Sequence, residues 1–310
     1  MRKFSLILTI SALAIALFAS CQKEVSVLTP NGEKVTASVV KSFEKKYPHA
    51  TNVVWENKAP YWVAHFDLPQ TKAAPTTVKP QNSTWFDNNG NWQMSEHDID
   101  FDKLPQAVQD SFNSSKYTSW EKDDINTLER DGVIELYMIE VEQKDPKTGE
   151  EIEMELYYTA DGILTKEVPA TEDHTDLIPE DLPEVIISDL KARYGEFEPI
   201  EAELEEGEFE VEILADGRVY ELKYILDPLE WLSTEYDITV DEVPAQIMEM
   251  LKERITNIDD YEIDDIELKE SKDGSKTYEF EFELKDGLES EIDEIELTII
   301  EKDGKFEFKD

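Results

Sequence analysis

Residues 243–255 read VPAQIMEMLKERI, and residues 278–284 read YEFEFEL. Counting from Pro244, apolar side chains fall three, seven and eleven residues on, at Ile247, Leu251 and Ile255. That spacing keeps one face of a helix apolar. The second stretch alternates Tyr278, Phe280, Phe282 and Leu284 with Glu279, Glu281 and Glu283. A period of two means a strand with one face on a core and the other in water.

The helical signature occurs three more times. From Thr36 it runs Val39, Phe43, Tyr47; from Pro105, Val108, Phe112 and Lys116 with Tyr117 beside it; from Pro183, Ile186, Leu190, Tyr194. Proline suits the first helical turn, where its missing N–H has no partner to lose. After each helix the period shortens to two, as at Phe209, Val211 and Ile213 or Ile295, Leu297 and Ile299. Asn-Gly and Asp-Gly pairs from Asn89-Gly90 to Asp303-Gly304 supply tight hairpins. The predicted fold class is α+β. It consists of tandem units of one helix and a three- to four-stranded antiparallel sheet, in two domains of two units each.

The expected boundaries follow from the pattern. Residues 1–20 are a signal peptide: Arg2 and Lys3 precede a short apolar run to Ala19. The sixteen residues from Phe4 to Ala19, interrupted only by Ser5, Thr9 and Ser11, reach roughly 24 Å, short of a membrane's hydrocarbon core. Phe18-Ala19-Ser20-Cys21 resembles a bacterial lipobox, so Cys21, the single cysteine, is expected to be lipidated. Residues 21–32 form the tether, and a first domain spans 33–170 in units 33–101 and 102–170. A polar linker covers 171–178. An acidic second domain spans 179–310, in units 179–238 and 239–310. Within the first unit a Pro-, Thr- and Lys-rich loop runs from Pro69 to Asn82.

Thirty Lys and Arg against 73 Asp and Glu leave a net charge of −43. Such a surface repels nucleic acid and favours cationic partners, with divalent ions held weakly at most. A hydrophobic content of 40%, with 6 Trp, 12 Tyr and 13 Phe, argues for packed cores. With Cys21 taken by lipid, no internal disulfide can form.

Phe43 to Tyr47-Pro48, Val54-Trp55-Glu56, Tyr61 to Phe66 and Trp85-Phe86-Asp87-Asn88-Asn89-Gly90-Asn91-Trp92 resemble the PepSY-like family, also described as β-lactamase-inhibitor-like. Leu104-Pro105 and Asp161-Gly162-Ile163-Leu164 extend the resemblance over residues 33 to 170. It implies helix-plus-sheet repeats in secreted lipoproteins and, by analogy, binding of a protein across the sheets. No inhibitory loop transfers residue by residue.

Motifs for chemistry are absent from the sequence. No G-x-S-x-G, phosphate-binding glycine loop or H-E-x-x-H occurs, and His49, His65, His97 and His174 are scattered. The expectation is a non-enzyme without cofactor or built metal site. Lipid anchors it to the outer membrane, on the periplasmic side or at the cell surface. Five of the six tryptophans, Trp55, Trp62, Trp85, Trp92 and Trp120, lie in the first domain. Along the second strand Trp62, Ala64, Phe66 and Leu68 should face the helix, with Tyr61, Val63, His65 and Asp67 on a wet face. Aromatics and histidine on such a face suit an interface. The expected partner-binding residues are therefore Tyr61, His65, Trp85 and Trp92. An acidic structural or calcium-binding lipoprotein is the alternative, and a hydrolase a weaker one.

Overall fold

The computed structural model describes residues 26–69, 81–144, 148–171, 173–205, 207–285 and 294–309. The signal stretch, Cys21, the loop residues 70–80 and the turn at Asp286-Gly287 lie outside the described residues. The chain forms two compact units. The first runs to Ile178; the second runs from Pro179 and also takes in Gly132–Ile134.

Unit 1 contains helix α1 (Ala37–Lys46), strands β1 (Thr51–Lys58), β2 (Tyr61–Asp67), β3 (Asn82–Phe86) and β4 (Trp92–Asp98), helix α2 (Gln106–Ser114), and strands β5 (Glu121–Arg130), β6 (Leu136–Lys144), β7 (Glu151–Tyr158) and β8 (Leu164–Pro169). Unit 2 contains α3 (Glu184–Tyr194), β9 (Glu198–Glu205), β10 (Glu208–Ala215), β11 (Arg218–Leu226), β12 (Leu229–Asp237), α4 (Ala245–Arg254), β13 (Tyr261–Ser271), β14 (Lys276–Leu284), β15 (Glu294–Lys302) and β16 (Lys305–Phe308).

Separate sheets of three or four strands do not form. Each unit has one eight-stranded antiparallel sheet whose strands neighbour one another in chain order. Fusion occurs where Met94 to Asp98 of β4 pair with Arg130 to Asn126 of β5, and where Ser233 to Asp237 of β12 pair with Ser271 to Glu267 of β13. Pairing there satisfies backbone groups that two exposed sheet edges would leave open.

The helices bury the side chains the spacing picks out: Val39 and Phe43, Val108 and Phe112, Ile186 and Leu190, Ile247 and Leu251. Pro105, Pro183 and Pro244 sit at the N-cap, one position before the first turn where the sequence puts them, because their backbone is extended. Phe43 illustrates the packing. Its ring lies 5.2 Å from that of Phe66 and 5.3 Å from that of Trp55, both edge-on. Burying such a ring contributes about 2–3 kcal/mol.

The turn at Asp87 to Trp92 docks on the start of α1. Asp87 Oδ1 accepts from the backbone N–H groups of Asn89 and Asn91, each at 2.8 Å. Asn88 Oδ1 accepts the Trp62 indole N–H at 2.9 Å. Gly90 has φ +89°, and a Cβ there would lie 2.8 Å from the Ser38 carbonyl. Gly162, between β7 and β8, stands in the same relation to α2: φ +80°, with Ala107 O at 2.4 Å from a notional Cβ.

The sheet faces turned away from the helices differ. In unit 2 that face is wet, with Glu279, Glu281, Glu283 and Glu296 exposed. In unit 1 the expected wet face is instead buried at Val63, Trp85, Met94, Leu128, Met138 and Tyr157. The reason is chemical: apolar groups occupy both phases of these strands, so alternation along β2 alone misreads the face.

Candidate functional site

Tyr61 and His65 lie in β2 on the same face as Val63, both half-exposed. Trp85 pairs with Val63 across β2 and β3 and shares that face, but it is 2% exposed. Its indole nitrogen is buried with no hydrogen-bond partner among the described residues. Trp92 goes to the opposite face. It packs on the α1 core, its N–H donates to Ser95 Oγ at 2.7 Å, and the Lys46 ammonium stands 3.8 Å from its ring centre. The cause is a register shift after Trp85, which pairs Trp92 with inward-facing Phe86. Tyr61, His65 and Trp85 are thus brought to one face, and Trp92 is not.

Beside Tyr61 a serine, a histidine and a carboxylate line up across three strands. His65 Nδ1 is 2.9 Å from Ser83 Oγ, and Nε2 is 3.2 Å from Glu56 Oε2. The arrangement has the order of a nucleophile, base and orienting acid. Ser83 itself supplies no oxyanion donor. Ser83 lies in the middle of β3, paired with His65 on one side and Glu96 on the other. Its backbone N–H is therefore bound in the ladder and cannot donate to an oxyanion.

The segment expected to be a linker forms a strap over the same face. Asp173 pairs with Lys58 of β1 at 3.2 Å, and the Thr171 N–H donates to Glu155 of β7 at 2.8 Å. The Leu177 carbonyl accepts from Arg130 of β5 at 3.4 Å. Between these contacts His174 bridges two strands: Nδ1 bonds Glu96 Oε1 of β4, and Nε2 bonds Glu155 Oε1 at 3.1 Å. Glu155 Oε2 also accepts the Tyr157 hydroxyl at 2.6 Å.

The electrostatics agree from both partners. Burial alone pulls His174 down, but its bonds to Glu155 and Glu96 outweigh this and raise its pKa to about 10. Burial alone pushes Glu155 up, but bonds from His174, Tyr157 and the Thr171 N–H carry it below its usual range. The centre is an imidazolium between carboxylates. Its two nitrogens point to different acids, so it is a structural bridge rather than a chelate. The sequence gives one faint sign of it: Glu155 shares its phase with aromatic Tyr157 instead of with solvent-facing acids alone.

Elsewhere in unit 1, carboxylate oxygens of Glu142, Glu151 and Glu153 lie within 4.8 Å of one another. Glu151 and Glu153 are exposed, and Glu142 titrates above its usual range through burial and neighbouring acids including Glu151. Such a group can collect divalent ions weakly.

A family model described as beta-lactamase-inhibitor-like, PepSY-like matches residues 74–166 and 226–306, more than half of the chain. The chain belongs to the PepSY-like family. The two PepSY-like matches begin ahead of β3 and at the end of β11 respectively, and each takes in the second helix of its unit and ends within the last strand of the sheet. No curated protein matches the sequence. Solved structures similar to this PepSY-like chain include a BLIP-like protein from Bacteroides fragilis, at 27% identity and TM-score 0.36, covering 48% of this chain and 93% of that one. A DUF2874 family protein from Bacteroides ovatus has 26% identity and TM-score 0.38, covering 47% and 95%. Another, from Bacteroides uniformis, has 22% identity and TM-score 0.37, covering 46% and 94%.

Proposed function

We propose that this PepSY-like chain is a non-enzymatic, inhibitor-like module that binds another protein across its sheets, built from four copies of one helix-plus-four-strand unit. It acts at the cell envelope, anchored through a lipidated Cys21 to the outer membrane, on the periplasmic side or at the surface. The observation that carries the non-enzymatic reading is the setting of Ser83, His65 and Glu56. The groups are aligned, yet the Ser83 N–H is taken up by the strand ladder and gives no oxyanion donor at the nucleophile itself. What remains at the β1–β2 margin is a half-exposed aromatic and histidine, a composition suited to contact.

The test is capture of envelope proteins by the immobilised unlipidated chain, against an acidic protein of similar charge. A specific set should be retained and then lost in Tyr61→Ala and His65→Ala; retention no different from the acidic control refutes the reading. Cys21→Ser should release the protein from membranes without detergent. The Glu142, Glu151 and Glu153 cluster favours a second reading, an acidic calcium-binding lipoprotein. Millimolar calcium would then raise the melting temperature, because a ligand selective for the folded state stabilises it.

A further inference from the structure

The two units can be laid on one another residue by residue from their hydrogen bonds. In unit 1 the Trp92 N–H donates to Ser95, and Lys46 from the last turn of α1 covers the indole. In unit 2 the Trp231 N–H donates to Thr234 at 2.9 Å, and Arg193 from the last turn of α3 covers the indole at 4.7 Å. Glu96 therefore corresponds to Glu235. Following the cross-strand pairs outward, Asp98 and Asn126 correspond to Asp237 and Glu267, and Met138 and Tyr157 to Glu279 and Thr298. The pair Glu140 and Glu155 becomes Glu281 and Glu296.

The carboxylates that hold the strap in unit 1 thus have counterparts in unit 2. In unit 1 the seat between Glu96 and Glu155 is filled by a cation from the chain itself, the His174 imidazolium, with a backbone N–H beside it. In unit 2 Lys269 engages Glu235, while Glu296 and the intervening Glu279 and Glu281 remain exposed. Apolar Met138 of the filled face is replaced by Glu279, and Asn126 by Glu267. Directly opposed acids, such as Glu267 with Glu279 and Glu281 with Glu296, repel across the sheet. A segment bringing positive charge to this face would gain what His174 gains in unit 1 and would also remove that repulsion.

We infer that the face of the unit 2 sheet turned away from α3 and α4 is a docking seat for an extended, lysine- or arginine-bearing segment of a partner protein, which takes the place the strap takes in unit 1. The inference rests on the protein-binding reading above and names the surface and the chemistry of the partner. The occupant is a chain segment rather than a bare ion because its counterpart in unit 1 is one: side-chain cation and backbone N–H act together there.

The probe is a fluorescein-labelled (Lys-Thr)4 octapeptide, titrated into the full chain at about 0.15 M salt, where exposed charges more than about 8 Å apart are screened. Binding should weaken about tenfold or more in Glu279→Lys/Glu281→Lys. It should hold in Glu249→Lys/Glu253→Lys, which makes the same charge change on the exposed side of α4. Amide resonances of Glu279 and Thr298 should move on titration, and circular dichroism should show all variants folded. Equal weakening in both double variants overturns the proposal, since attraction would then be general. So does no binding at all, or calcium at about 1 mM moving those resonances when the peptide does not. If envelope proteins are captured equally by wild type and Glu279→Lys/Glu281→Lys, the seat is refuted while protein binding stands; if wild type captures none, the protein-binding reading falls.

Discussion

Replacing His174 with glutamine removes the positive charge between Glu96 and Glu155 while roughly preserving size. Glu155 is 1% exposed and Glu96 12%, so water cannot take over the role of the imidazolium. Removing one partner of a buried ion pair typically costs about 3–5 kcal/mol. Here the loss has a ceiling, because one carboxyl can take up a proton. From a reference pKa of 4.5, that proton costs about 3.4 kcal/mol at pH 7 and under about 1 kcal/mol at pH 5. The variant should therefore be destabilised by about 2–3 kcal/mol at neutral pH, and the difference from wild type should shrink as the pH falls towards 5.

The alkaline side carries the opposite sign. His174 is raised from 6.5 to about 10, so its contribution is fully present below pH 6.5 and is lost as the pH climbs through 10. The full contribution corresponds to about 5 kcal/mol. Wild type should lose much of it between pH 7 and 9.5, while His174→Gln stays flat. The window ends there because the Tyr158 phenol, pushed up by burial to about 12, begins to add its own loss above the ordinary tyrosine value of 10. Urea unfolding followed by tryptophan fluorescence reads unit 1, since five of the six tryptophans belong to it. A difference that stays constant from pH 5 to 9.5 would refute the bridge, as would Glu96→Gln failing to restore stability to His174→Gln.

Three further outcomes can be measured on the same chain. Gly90→Ala and Gly162→Ala should each lower stability by more than the roughly 1–2 kcal/mol of left-handed backbone alone. Gly132→Ala, at φ +83° with nothing near its notional Cβ, should show only that backbone penalty, and equal melting shifts in all three would refute the docking of the turns on the helices. Ser83→Ala should leave p-nitrophenyl acetate hydrolysis unchanged; a rate above buffer in wild type that the variant loses would make the chain a hydrolase. Burial, with Glu235 and Glu279 nearby, raises Glu267 to about 7, so its ionisation opposes folding above pH 4.5. Glu267→Gln should then stabilise unit 2 by about 1–3 kcal/mol at pH 8 and leave it unchanged at pH 4, read by thermal unfolding.

The helices were legible because their signal is local. Val39 and Phe43, or Ile247 and Leu251, are placed by spacing within a single element, and nothing distant alters which side they bury. Strand phase was equally legible where the two faces differ in polarity, as along Tyr278 to Leu284. Along Tyr61 to Asp67 the phase holds, with Trp62, Ala64 and Phe66 in the core and Tyr61, His65 and Asp67 half-exposed. Val63, however, is buried on the outer face, which a strap from about a hundred residues downstream crosses. His174 sits in a polar, acidic segment with the composition of a linker. Only the three-dimensional course of the chain brings it between Glu96 and Glu155. The side on which Trp92 lies was not legible, because one irregular pairing after Trp85 sets it against Phe86.

The divergence of the second faces bears on what each is for. The helix-facing positions keep their character between units: Ile139, Val141 and Tyr158 correspond to Phe280, Phe282 and Ile299, all buried. The other face does not. Where unit 1 has Met138 and Asn126, unit 2 has Glu279 and Glu267, and each directly opposed acid pair costs about 0.2–1 kcal/mol. Replacing a buried apolar side chain and a buried amide by mutually repelling acids lowers stability, so packing within the sheet does not account for the acids. Solubility does not need them opposed either, since the same charges spread over the helices would serve as well. The proposed seat gives these acids a role, since an incoming cation would relieve their repulsion as His174 does between Glu96 and Glu155. The filled counterpart around His174 shows the relieved state.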